Sequence, residues 1–194
     1  MAGPSKIVID AIRFAAQKHA GQHRKDGRTP YVSHPFRVLY HLTCAGVTDA
    51  DTLAAAVLHD TIEDTTADFD DLEKRFNRRV AEYVAVLTKD KRLQDRERED
   101  RYFAGLKEAS MPVKLVKMGD TLDNLLDATA LPPEGAAKAI DKAERLLALY
   151  KGKITSEFEH MLRWIESAID ALRETKASEP LAQPPKLETR KRRK

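Results

Sequence analysis

The chain has 194 residues, 42% of them hydrophobic, and a formal charge of +3, which suffices for one domain with a proper core. It contains no run of eighteen apolar residues and no apolar segment behind its first residues, M-A-G-P-S-K, so neither a membrane-spanning helix nor a visible secretion signal is expected. The single cysteine, Cys44, excludes an internal disulfide, fits a reducing, cytoplasmic setting, and is expected in the core.

Apolar residues recur with helical period from Ile7 through Ala11, Ile12 and Ala15, and Gly21 offers a stop. A polar loop over residues 22–33 contains Gly27 and Pro30. Ser33 is expected to cap the next helix, with His34 and Pro35 in its first turn and Phe36, Val38, Leu39 and Leu42 inside. Asp49 or Asp51 offers a cap for a central helix starting near Thr52. Two amphipathic stretches follow, residues 69–76 and 80–87, and then a charged run, residues 89–101, with Leu93 as its one aliphatic side chain. That run reads either as a solvated, ion-paired segment or as a set of cations facing a polyanion. Pro112 opens a helix carrying Val113, Leu115, Val116, Met118, Leu122, Leu125 and Leu126; further helices span residues 136–150 and 155–172. No useful length shows period-two alternation, so the fold class is all-α, a bundle of roughly eight to ten helices.

Residues 176–194 differ in character. Seven basic residues stand against two acidic ones, which leaves residues 1–175 slightly acidic. The segment is Pro-rich, then basic (R-K-R-R-K), and too polar to offset its ordering entropy, so a folded domain over 1–175 and a disordered tail are expected. Such a tail gives at most weak, salt-dependent affinity for nucleic acid, and solubility is its simpler use.

The stretch most loaded with chemistry is residues 53–64, L-A-A-A-V-L-H-D-T-I-E-D. Its first half is a buried helix, and its second places His59, Asp60, Glu63 and Asp64 within six positions. Continued as a helix, His59 lies over Glu63 and Asp60 over Asp64. Three carboxylates that close repel one another unless a cation neutralises them, which makes a metal site the first expectation. Adjacent residues on a helix project about 100° apart, so His59 and Asp60 meet one ion only where a helix end abuts it. Further ligands have to come from other helices, with His34 and Asp120 as candidates. His19, His23, His41 and His160 are expected to be ordinary core or surface histidines.

Three blocks make the reading specific: H-A-G-Q-H-R-K-D-G-R-T-P-Y-V-S-H-P from His19, A-A-A-V-L-H-D-T-I-E-D, and K-L-V-K-M-G-D-T-L-D-N-L. In this order, over roughly residues 6–150, they resemble the hydrolase domain of RelA/SpoT alarmone enzymes, and more closely the single-domain small alarmone hydrolases among the HD-domain phosphohydrolases. The resemblance implies that His34, His59, Asp60 and Asp120 hold one divalent ion, Mn²⁺ in that family. It implies that Glu63 and Asp64 position or deprotonate the attacking water. Arg24 is matched to a residue lying against the purine, Lys25 to a supporting cation, Asn124 to a contact with the sugar, and Lys91 and Arg98 to cations facing the 3′-diphosphate. The implied reaction is hydrolysis of ppGpp or pppGpp to GDP or GTP and pyrophosphate, without synthesis of the alarmone.

Two departures from the family pattern carry consequences. Gly119 and Thr121 stand where alanine and lysine commonly flank the last ligand, and loss of the lysine is expected to weaken substrate affinity or change the nucleotide accepted. Asn77 stands where glycine is common and is expected in the left-handed conformation. Two competing readings are a hydrolase of related nucleotides, such as adenosine analogues or NADPH, and a non-catalytic protein that binds nucleotides or nucleic acid.

Overall fold

Helix α3 (Ala50–Leu58) runs through the middle of the molecule, and its last five residues are completely buried. Three of those five are alanines, so neighbouring backbones approach it from several sides. Helices α1 (Lys6–Lys18), α2 (Ser33–Cys44), α6 (Arg78–Leu87) and α8 (Met111–Asp127) all pack on it. The computed structural model describes residues 5–178. The remaining helices are α4 (Thr61–Asp64), α5 (Phe69–Arg75), α7 (Asp95–Glu108), α9 (Pro133–Tyr150) and α10 (Glu159–Ser178), with short 3₁₀ turns at Ala128–Ala130 and Ser156–Phe158. Among the described residues the nearest thing to a sheet is one isolated bridge between His23 and Pro30, so the all-α expectation holds.

Two glycine features fix how the elements meet. Gly46 has φ +87° and ends α2 with its N–H on the carbonyl of Thr43, a conformation glycine adopts without a Cβ penalty. Gly119 lets α8 approach α2 closely, since a Cβ there would lie 2.4 Å from Leu42 Cδ1 and 3.2 Å from Val38 Cγ1. The departure from alanine at this position therefore has a packing explanation.

Several expectations need correction. The stretch 53–64 is not one helix: α3 stops at Leu58, His59 and Asp60 form a turn, and α4 restarts at Thr61. The cap of α3 follows the expectation, with Asp49 of the two candidates accepting the Thr52 N–H at 2.9 Å. Ser33 lies inside α2 and makes no cap; its hydroxyl oxygen is buried without a partner among the described residues. Cys44 is exposed, because it sits one turn after the outward-facing Tyr40 while Leu42 and Ala45 take the buried face. The last helix continues to Ser178, so residues 176–178 are helical, and the rest of the expected tail lies outside the described residues.

Asn77 is extended, with φ −173° and ψ 170°, and serves as the N-cap of α6. Its Oδ1 accepts the Val80 N–H at 2.9 Å, and its Nδ2 donates to Asp51 Oδ1 at 3.0 Å, tying α6 to α3. The sequence expectation of a left-handed residue is thereby overturned. An Asn77→Ala variant is expected to lose about 1 kcal/mol in urea unfolding, the usual cost of a lost cap, with Asn77→Gly losing less. A left-handed residue would instead make Asn77→Gly at least as stable as the wild type.

Candidate metal centre

The break in the central stretch brings His59 and Asp60 to one point. His59 closes α3, where its Nδ1 lies 2.8 Å from the Ala56 carbonyl. A carbonyl only accepts, so Nδ1 carries the proton and Nε2 presents its lone pair. That Nε2 is buried and has no hydrogen-bond partner among the described residues. His34, in the first turn of α2 and 1% exposed, is oriented in the same sense: Asp123 Oδ2 sits 2.6 Å from its Nδ1, which turns Nε2 toward Asp120.

Both Nε2 atoms converge on carboxylates. His34 Nε2 is 3.2 Å from Asp120 Oδ1 and 3.6 Å from Asp60 Oδ2; His59 Nε2 is 3.2 Å from Asp60 Oδ2 and 3.7 Å from Asp120 Oδ1. One donor atom each from His34, His59 and Asp120 lies within 4.8 Å of the other two, and all three residues are buried. Burial works to raise the Asp60 and Asp120 carboxyls, but His59 beside Asp60 and Lys117 beside Asp120 hold both well below the usual range. Burial likewise opposes charge on His34 and His59, yet the surrounding carboxylates raise both imidazoles. The potential that does so attracts any cation, and an orphaned imidazole nitrogen in that potential is a metal-ligand geometry.

Around this centre the other side chains divide by the element that carries them. Tyr31, just before α2, donates its hydroxyl to Asp60 Oδ2 at 2.5 Å and lies 3.3 Å from Asp64 Oδ2. Asp64 also accepts Lys91 Nζ at 2.8 Å, so Lys91 is tethered to α4. Glu63 Oε2 accepts the Lys89 backbone N–H at 3.0 Å; burial, and then the Asp60 and Asp64 charges, push its pKa up. On α8, Asp120 lies between two side chains on the same helical face: Lys117 Nζ is 2.6 Å from its Oδ2 and Asn124 Nδ2 is 2.5 Å from its Oδ1.

A second layer is fixed by Asp123, which is completely buried. Its carboxylate takes two hydrogen bonds from Arg37, at 2.6 and 2.8 Å, besides the one from His34. Arg37 reaches on to Asp127 at 2.7 Å, and Asp127 takes Arg24 Nε at 2.8 Å. Arg24 also contacts Asn124 Oδ1 at 3.1 Å and lies over the Tyr31 ring. A continuous set of charge-assisted hydrogen bonds thus runs from the loop before α2 to the imidazole of His34.

A cavity of about 750 Å³ opens onto the cluster. His34, His59, Asp60, Asp120, Glu63, Asp64, Arg24, Lys25 and Asn124 all line it. Arg98 does not: it lines a separate hollow of about 250 Å³ and pairs with Asp95 one turn before it. Thr121 is buried in the cavity wall. Tyr31, Arg37, Lys117 and Asp123 were not singled out from sequence. Asp123 and Lys117 each lie three residues from Asp120, the one spacing that marks them, whereas Arg37 meets Asp123 across 86 residues of chain.

Residues 11–151 match the family described as HD domain. The chain belongs to the HD-domain family. It is 40% identical over 139 residues to the guanosine-3′,5′-bis(diphosphate) 3′-pyrophosphohydrolase MESH1 of Xenopus tropicalis, an alignment covering 70% of this chain and 76% of that one. The human protein of the same description is 42% identical over 137 residues, with the same two coverages. A solved structure described as a metazoan ortholog of SpoT that hydrolyses ppGpp superposes with TM-score 0.76 at 31% identity, covering 91% of this chain and 98% of that one. As an HD domain the chain binds a divalent metal ion, and the buried cluster of His34, His59 and Asp120 fits one.

The Asp123 carboxyl gives the HD domain a particular acid sensitivity. Burial works to raise it, and hydrogen bonds from His34, His41 and Arg37 outweigh that and hold it far below the usual range. A depressed carboxylate contributes stability that is complete above its unfolded pKa, near 4, and is lost as pH falls toward the folded value. Urea midpoints of the wild-type protein are expected to drop steeply below pH 4. Asp123→Asn should be less stable at neutral pH by about 3 kcal/mol or more, since it strands Arg37 and His34, and should show a flatter acid limb.

Proposed function

We propose that this HD domain hydrolyses the 3′-diphosphate of guanosine alarmones, giving GDP from ppGpp or GTP from pppGpp, together with pyrophosphate. The reading rests on one observation: two imidazoles of fixed tautomer and two ionised carboxylates converge at the floor of a nucleotide-sized cavity, in a chain about 40% identical to proteins named for this reaction.

His34, His59, Asp60 and Asp120 would ligate the ion, and a mixed nitrogen and carboxylate set suits manganese, the ion proposed. When bound, such an ion supplies Lewis acidity toward a phosphate oxygen and toward water. The chain's own residues do the rest. Glu63, with a raised pKa and one oxygen fixed by the Lys89 N–H, is placed to take a proton from the attacking water. Asp64, bound to Lys91 and facing Tyr31, orients that water and holds α4 against the loop. Asn124 and Arg24 form a connected pair on the opposite side of Asp120 from Lys117, suited to a ribose hydroxyl and a purine face, with Lys25 adding positive charge at the rim. Catalysis is then a matter of positioning and electrostatics.

Release of pyrophosphate from ppGpp by the Mn²⁺-loaded protein, followed by chromatography of both products, tests the reaction itself. Absence of pyrophosphate would overturn it. Asp60→Ala is expected to lose bound metal, measured by elemental analysis, together with activity. Glu63→Gln should retain the metal while turnover falls about 10²- to 10⁴-fold; loss of metal in that variant would make Glu63 a ligand instead.

A further inference from the structure

Neither of the two cations that the resemblance matched to the 3′-diphosphate, Lys91 and Arg98, lines the cavity. Lys91 is tied to the Asp64 carboxylate and the Glu63 carbonyl, and Arg98 lines the neighbouring hollow. The cavity wall instead carries Lys89, from the segment after α6, Lys117 from α8 and Lys142 from α9. They surround one carboxylate and one ring. Glu99 Oε1 lies 2.6 Å from Lys89 Nζ and 3.8 Å from Lys142 Nζ, while Lys89 and Lys117 stand 4.9 and 5.3 Å from the centre of the Tyr102 ring. Glu99 and, at Lys117, Asp120 offset two of these three charges, and burial together with the nearby Lys89 ammonium lowers the pKa of Lys142, a mark of cations crowded at one place.

The position of this group relative to the metal centre gives it a meaning. Along α8, Lys117, Asp120 and Asn124 follow one another on a single face. Lys117 is about 4.5 Å of helix rise before Asp120, and Asn124 about 6 Å after it. A nucleotide whose sugar lies toward Asn124 and whose reacting phosphorus lies at Asp120 therefore sends any further phosphate on its 3′ side toward Lys117 and the lysines beside it.

We propose that Lys89 and Lys142, held between helices by Glu99 and flanked by Lys117, form the seat for the distal phosphate of the 3′-diphosphate. The seat makes the enzyme selective for a diphosphate over a monophosphate on the ribose. A single phosphate engages the metal centre and leaves the lysines unused; a diphosphate engages both. Ammonium groups in a partly enclosed wall bind a phosphate oxygen more strongly than they would in open water. The inference rests on the proposed reaction, and it assigns the pyrophosphate product, rather than GDP, to these side chains.

The test uses the full-length, metal-loaded protein with Lys89→Met, Lys142→Met, and the arginine variants at both positions. Binding of pyrophosphate, orthophosphate and GDP is measured by calorimetry, and KM and kcat are measured for ppGpp and for guanosine 5′-diphosphate 3′-monophosphate. Each methionine variant is expected to weaken pyrophosphate binding and raise the KM for ppGpp about 10- to 100-fold, the worth of a charge-assisted hydrogen bond. Orthophosphate and GDP binding, and the KM for the monophosphate, should move less than threefold, and the arginine variants should recover most of the loss. Unchanged pyrophosphate affinity in both methionine variants, or a loss confined to GDP, overturns the seat. Failure of the wild-type protein to release pyrophosphate from ppGpp would instead overturn the proposed reaction, so the two failures are distinguishable. Because pyrophosphate binding is read directly, a folded but inactive variant still decides the question.

Discussion

Two carboxylates and two imidazoles share a few ångströms of largely buried space at the meeting of α2, α3 and α8, and the rest of the architecture answers to that crowding. Isolated charges of this kind cost several kcal/mol each to bury. Here each carries a fixed partner: Asp123 on His34, the Ala56 carbonyl on His59, Tyr31 on Asp60, Lys117 and Asn124 on Asp120. Those partners leave His59 Nε2 without a hydrogen-bond partner among the described residues and set His34 Nε2 beside the same two carboxylate oxygens, Asp60 Oδ2 and Asp120 Oδ1. The cluster is organised for a cation and becomes electrostatically complete only with one.

Two local features bring the elements of the cluster together. A continuous helix through residues 53–64 would project His59 and Asp60 in different directions, and ending α3 at Leu58 lets both turn toward Asp120. Gly119, next to Asp120, removes the Cβ that would collide with Leu42, so α8 comes close enough to α2 for Asp120 to reach His34 at 3.2 Å. The alanines of α3 serve the same end from the other side, because a thin central helix allows its neighbours' polar side chains to meet past it.

Much of this was legible in the sequence. The shift from aliphatic to ionisable residues after Leu58 marks the centre, and Asp120 stands out as an acid within an apolar helix. The all-α class and most helix positions follow from periodicity alone. Less visible was anything depending on which side of a helix is covered. Helix α8 is buried on almost every side, so Thr121 and Asp123, which an amphipathic pattern would assign to solvent, point inward. For Cys44 the error ran the other way, since α2 keeps an outer face that includes Tyr40. Asn77 was misread because a residue standing in for glycine suggests a turn conformation, whereas asparagine here acts through its side chain as a cap. No local signal pairs Arg37 with Asp123, because the partners belong to helices far apart in the chain.

The arrangement of Asp120 shows how recognition and chemistry are divided. One of its oxygens faces Asn124, which leads through Arg24, Asp127 and Arg37 back to Asp123 and His34; the other faces Lys117, which leads to Tyr102 and the lysines around Glu99. A single carboxylate at the floor of the cavity is therefore the junction of two polar systems, one of hydrogen-bond acceptors and guanidinium planes, the other of ammonium groups. The first offers directional contacts to a sugar and a base, and the second offers charge with little directional demand, which suits a rotating terminal phosphate. Thr121 beside Asp120 carries no charge, and Lys89 and Lys142 bring positive charge to the cavity wall from the segment after α6 and from α9. Charge complementarity to a polyanion depends on the sum of cations around the cavity more than on the helix that carries each one, so these lysines need not share an element with the four side chains at the junction.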